Sequence, residues 1–300
     1  MATDGSVSTL LPPLDVPKRT WTSWLSAAIS VALLISIGLH LERFGFARAW
    51  SVLPTSPYFW TAFAGYYLAL PFSEWLIYRR LWGIPFDGFA ALLRKLVSNE
   101  ILLGYSGEVY FYTWARRRAQ LVTAPFGAIK DVSIMSALAG NLVTLTMLVV
   151  AYPMIEIIKP QFNARAVFLS AAFIITLSML FFFFRRQIFS LPRHRLWFIF
   201  GMHMARLFVT TSLTVALWHL GLPHLPVIWL VMLVTLQLLV TRLPFVTNKE
   251  IVFASLAVFL VGSDAQIAAL IAMIATAILA THIFVGALLA VVELFAVRRA

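Results

Sequence analysis

The chain contains no cysteine, which excludes disulfides, thiolate metal sites and thiol catalysis and leaves the redox compartment undetermined. Charge is scarce as well. Asp, Glu, Lys and Arg make up 12% of the 300 residues, against about a quarter in a soluble domain. No polar block is long enough for a soluble domain, and no run alternates in the way a barrel strand must. The six His have no HExxH or other tight ligand spacing, and neither a P-loop nor a GxSxG elbow is present. We therefore expect a protein that is not an enzyme and has no metal or cofactor.

What is abundant is apolar sequence, 61% of residues. Helices of about 20 such residues cross a hydrocarbon core of roughly 30 Å while satisfying their own backbone hydrogen bonds. The expected fold is an all-α polytopic membrane protein. Residues 1–20 read as a disordered cytoplasmic tail and 21–300 as a single membrane domain. The formal charge is +11, but the basic residues flank apolar runs and form no patch interleaved with aromatics. They point to membrane orientation and attraction to anionic lipid, not to nucleic acid.

Six runs are long enough to cross, at about 21–41, 58–78, 132–153, 166–184, 196–218 and 266–296. Two further apolar regions, about 86–119 and 225–262, are broken at Gly104 to Gly107 and at Pro244 to Lys249. Each half is short for a crossing at about 1.5 Å per residue, so each region is expected to enter and return through one face as a re-entrant helical hairpin. With the N-terminus inside, sixteen Lys and Arg fall inside and four outside. That asymmetry satisfies the positive-inside rule and places both termini in the cytoplasm. A shift of 142 residues carries Glu108 onto Glu250, Glu100 onto Arg242, and the first three spans onto the last three. The expected architecture is about six transmembrane helices plus two oppositely directed hairpins in an inverted repeat, with halves at about 21–155 and 163–297.

The hairpin tips hold the chemistry. Ionisable groups at membrane depth cost about 3 kcal/mol or more each unless they face partners or water. The segment TRLPFVTNKEIVF (241–253) brings Arg242, Asn248, Lys249 and Glu250 there, and SNEILLGYSGEVY (98–110) brings Asn99, Glu100 and Glu108. Half-helix N-termini at Gly107 and Thr247 would offer N–H groups to an anionic headgroup. Arg206 and His203, one helical turn apart, face either the same cavity or the inner interface. Other readings stay open: Lys249 and Glu250 as a structural ion pair, Arg242 snorkelling to the outer surface, Glu74 paired with Arg79 or Arg80 at an interface.

An Asn-containing segment followed by a Gly-rich break and Gly-Glu before an Arg-rich stretch (SNEILLGYSGEVYFYTWARRR), with a later Pro-containing break and Glu (RLPFVTNKEIVF), resembles the flippase-like transmembrane region of lysylphosphatidylglycerol synthases. The resemblance is to stand-alone members without the synthetase domain, and it covers about residues 20–297. It implies an inner-membrane lipid translocase in which Glu108 and Glu250 match the two acidic positions and Asn99 the polar one. Here the breaks read Gly-Tyr-Ser-Gly and Pro-Phe-Val-Thr-Asn-Lys, and the family's Arg shortly after the first Gly-Glu is missing, so the substrate is open. The expected partner is a phospholipid or other anionic or zwitterionic membrane lipid. A membrane-embedded lipid-modifying transferase and a small-solute or ion secondary transporter are the alternatives.

Overall fold

The computed structural model describes residues 54–102, 105–118, 126–158, 189–223, 225–242 and 265–298, together with Phe173, Thr176, Phe253 and Ala257. The regular elements among them are helices: α1 Pro57–Trp82, α2 Asp87–Ile101, α3 Ser106–Arg118, α4 Phe126–Ile158, α5 Arg193–Gly221, α6 Val227–Thr241 and α7 Ala265–Arg298. The 1–20 tail, the runs at 21–41 and most of 166–184, and the tip carrying Asn248, Lys249 and Glu250 lie outside the described residues.

Local chemistry sets the helix ends. Pro57 opens α1, where its missing N–H would have been unsatisfied in any case. Gly83 closes it in the left-handed region (φ 65°), its N–H bonding the Arg79 carbonyl at 2.8 Å, with Arg79 and Arg80 in the last turn complementing the helix dipole. Pro192 and Pro226 stand directly before α5 and α6. Asp131 of α4 fixes the approach to α5, because its fully buried Oδ2 accepts the backbone N–H groups of Ser190 and Leu191, both at 2.7 Å.

Three helices are long and apolar enough to cross a membrane: Phe126–Ala151, Arg193–Gly221 and Met273–Val292. The protein is therefore a multi-pass, membrane-embedded all-α protein. The expectation of about six transmembrane helices plus two re-entrant hairpins in an inverted repeat is corrected to these three spans among the described residues. The physical reasons are local. α1 has 26 residues, but Glu74, Arg79, Arg80, four tyrosines and two prolines make it too polar to qualify. α2 and α3 have 15 and 13 residues and carry Asp87, Arg94, Lys95, Glu100, Glu108 and a terminal Arg-rich run. α6 is apolar but stops after 15 residues, about 22 Å at 1.5 Å per residue.

The packing has two apolar ends. At one, Phe59 and Phe63 of α1 meet Leu217 and Trp218 of α5, Leu230 to Val240 of α6, and Leu270 to Ile278 of α7. At the other, Trp75, Ile77 and Tyr78 of α1 meet Leu92 of α2, Phe111 of α3, Ile129 to Met135 of α4, and Ile199 of α5. These pairings fix directions. α4 and α5 run parallel, since Asp131 meets Ser190 and Ser136 meets Arg206, and α1 runs against α5, with the Arg80 guanidinium over the Phe198 ring. Buried polar side chains come from several helices, among them Glu74 of α1, Lys95 of α2, Asn141 of α4, His203 of α5 and His282 of α7.

Candidate functional site: a charged layer within the bundle

The layer is centred on Lys95. α2 carries its ammonium into the bundle, 2.5 Å from Oε1 of Glu74 on α1 and 3.4 Å from Oε1 of Glu108 on α3. Lys95 is 4% exposed and Glu74 6%, so one buried cation meets a buried carboxylate and, in Glu108, a half-buried one. Burial by itself pushes the Lys95 ammonium toward losing its proton, but the charges and hydrogen bonds of Glu74 and Glu108 outweigh this and hold its pKa above the ordinary lysine value. The second oxygen of Glu108, Oε2, is buried with no hydrogen-bond partner. Arg94, the residue before Lys95, is also buried and stacks its guanidinium over the Tyr110 ring, 4.6 Å from the centroid.

These positions follow from the α2–α3 turn. Asn99 Oδ1 accepts the Gly107 N–H at 2.7 Å, and Ser106 Oγ donates to the Ser98 carbonyl at 2.8 Å. Tyr105 makes the reversal at φ 72°, an unusual conformation for a non-glycine residue. Gly107 is required for space: a Cβ there would collide with the Lys95 carbonyl. The close approach brings Glu108, in the first turn of α3, alongside Lys95. It also means that the Gly107 N–H is occupied by Asn99.

The second half of the layer belongs to two arginines. Arg206 of α5 donates from Nη2 to Ser136 Oγ of α4 at 3.2 Å. Arg242, the residue at which α6 ends, lays its guanidinium in the space left by the absent side chain of Gly140. Ser136 and Gly140 are four apart on one face of α4, so the two guanidiniums occupy neighbouring turns of the same face, close enough for their charges to oppose each other. The Nε atoms of both are buried without hydrogen-bond partners. Glu74 acts on Arg206 through space, but its Oε1 is engaged by Lys95. Among the described residues, no carboxylate forms an ion pair with Arg206 or Arg242. Arg242 does not snorkel; the α6 C-terminus, the negative end of that helix's dipole, holds it inside.

Of the residues singled out in sequence, Glu108, Arg206 and Arg242 enter this layer, and fully buried His203 joins it beside Val132. Asn99 serves the hairpin turn. Glu100 is exposed and acts electrostatically on Tyr67, whose hydroxyl bonds His282 Nδ1 at 3.0 Å across α1 and α7. Asn248, Lys249 and Glu250 fall outside the described residues.

The expected interfacial pairing of Glu74 with Arg79 or Arg80 is replaced by the buried pair with Lys95, since Arg79 and Arg80 stack on Trp75 and Phe198 instead. Sequence reasoning missed Lys95, because a lysine between apolar helices reads as an orientation charge, and Gly140, whose role is an absence of atoms. The layer offers two things: a pair of guanidiniums on which an anion can sit, and a carboxylate oxygen, Glu108 Oε2, free to meet a cationic group. No protein-family model, curated protein or solved structure matches the chain.

Proposed function

We propose that this protein is a lipid translocase of the inner membrane, moving the headgroup of a phospholipid or other anionic or zwitterionic lipid across the bilayer while leaving its covalent bonds unchanged. The observation that carries this reading is the arginine pair. Two guanidiniums held side by side inside a membrane-embedded bundle, with no carboxylate paired to them among the described residues, are expensive unless an anion shares their space. Guanidinium suits a phosphate, which it can bind through parallel N–H donors. The resemblance of SNEILLGYSGEVYFYTWARRR and RLPFVTNKEIVF to the flippase-like region of lysylphosphatidylglycerol synthases supports the same reading, with Glu108 and Glu250 at its acidic positions.

In this mechanism the arginines hold the phosphate and Glu108 meets a cationic portion of the headgroup or carries a proton. The acyl chains stay in hydrocarbon. The test is reconstitution: purified protein in liposomes is expected to accelerate movement between leaflets for at least one member of a panel of anionic, zwitterionic and polyprenyl lipids. Glu108→Gln and Arg206→Gln should each slow it, and the lipid should be recovered chemically intact. Rates equal to empty liposomes for the whole panel would end the proposal. Conversion of the lipid to a new product would replace it with a transferase.

A further inference from the structure

α4 and α5, both long and apolar enough to span, part on their outer side to leave a groove of ≈ 480 Å³ lined by Val143, Met147, Met204, Phe208, Thr211 and Val215, among others. Its size falls within the range of small-molecule sites, about 300–1,000 Å³. Its lining is predominantly apolar, and Phe208 is well exposed along it. The α4 wall is one stripe. Ser136, Gly140, Val143 and Met147 follow one another at helical spacing on a single face, so the wall continues directly onto the two residues against which Arg206 and Arg242 lie.

From this juxtaposition we propose that the stripe is a binding site for one anionic phospholipid, its phosphate on Arg206 and Arg242 and one acyl chain in the α4–α5 groove. The inference rests on the lipid reading above and narrows it to a net-negative headgroup. A phosphodiester carries one negative charge against two guanidiniums, so a headgroup that adds its own ammonium, such as choline, brings a third positive charge to the pair. A glycerol headgroup does not. The groove adds little affinity in a bilayer, because lipid tails are as apolar as the groove. What it supplies is position, holding the lipid with its phosphate beside the arginines.

The absence of cysteine makes the test direct. Phe208→Cys, labelled with bimane, is reconstituted in phosphatidylcholine vesicles containing a minor fraction of lipid with brominated chains, which quench the dye on contact. Brominated phosphatidylglycerol is expected to quench with about tenfold higher apparent affinity than brominated phosphatidylcholine, the order of magnitude set by one further positive charge a few ångströms from the guanidiniums. Arg206→Gln with Arg242→Gln should erase that preference, whereas Arg206→Lys with Arg242→Lys should retain part of it. Thr211→Trp or Val215→Phe, either of which fills the groove, should reduce quenching by phosphatidylglycerol to the level of phosphatidylcholine.

Equal quenching by the two lipids in the otherwise unaltered protein would overturn the site. So would complete relief by inorganic phosphate with no effect of either groove-filling variant, because the arginines would then serve a small free anion. A clear preference without transport in liposomes would sink the translocase reading and leave this site standing; transport without preference would do the reverse.

Discussion

Lys95 and Glu74 are 21 residues apart in sequence and 2.5 Å apart in the bundle, where they join α2 to α1 beside the apolar cluster of Trp75, Tyr78 and Leu92. Removing one member of a buried ion pair strands the other, at a cost of about 3–5 kcal/mol. Lys95→Met is expected to destabilise by that amount or more, since it strands Glu108 as well as Glu74. Adding Glu74→Gln to Lys95→Met should recover part of the loss. Thermal unfolding of the four proteins in detergent measures this, and additive losses would show that the pair does not act as a unit.

The same lysine sets a pH dependence whose sign follows from its raised pKa. A cation held by the folded state stabilises it fully below the unfolded lysine value of 10.5, and this contribution is lost as pH rises through the higher folded value. The melting temperature of the wild type should therefore exceed that of Lys95→Met by a constant margin from neutral pH up to about pH 10, and the margin should narrow at more alkaline pH. A margin that narrows near neutrality would mean that Lys95 loses its proton inside the bundle.

Asn99 is predicted to act through the α2–α3 turn. Asn99→Ala removes the acceptor for the Gly107 N–H and should lower stability by about 1 kcal/mol. Asn99→Asp keeps an acceptor and should restore both stability and transport. Loss of transport in a fully stable Asn99→Asp protein would instead make the residue a ligand. Gly107→Ala, which would collide with the Lys95 carbonyl, should destabilise by about 1–3 kcal/mol.

Gly140 makes a different prediction in each of two backgrounds. Alone, Gly140→Ala takes the space in which the Arg242 guanidinium lies and makes it swing away, which should impair lipid movement. In an Arg242→Ala background the clash is gone, and the better helix propensity of alanine should raise stability by up to about 1 kcal/mol. Unfolding and liposome assays on the four combinations would decide it; equal effects in both backgrounds would remove Arg242 from the vicinity of Gly140.

Asp131 tests the entry to α5. Asp131→Ala leaves the Ser190 and Leu191 N–H groups without the carboxylate oxygen they share and, because water can reach this turn in its place, should destabilise by about 1–2 kcal/mol. Because Asp131 lies at the end of the bundle and not in the charged layer, protein that remains folded should keep its lipid preference.

Hydropathy alone determined that this chain lives in a membrane and where three of its spans lie. Burying about 20 apolar residues depends on composition and length, which are local properties. It also placed Glu108, Arg206 and Arg242 under suspicion, because an isolated charge in an apolar setting needs an explanation wherever the chain folds. Hydropathy did not set where the helices stop: α2, α3 and α6 end after 15, 13 and 15 residues. α1, α2 and α3 mix charge with hydrophobicity, and their character depends on what pairs with the charges. Nor could sequence assign partners. Glu74 lies nearest in sequence to Arg79 and Arg80, yet pairs with Lys95 because α2 packs against α1, and Gly107 lets α3 bring Glu108 to the same lysine. Arg242 stays inside for a similar reason: Gly140, a hundred residues away, leaves room for its guanidinium. Which charges neutralise each other and which are left for a ligand depends on distances of a few ångströms across the bundle, and only the packing of distant helices sets those distances.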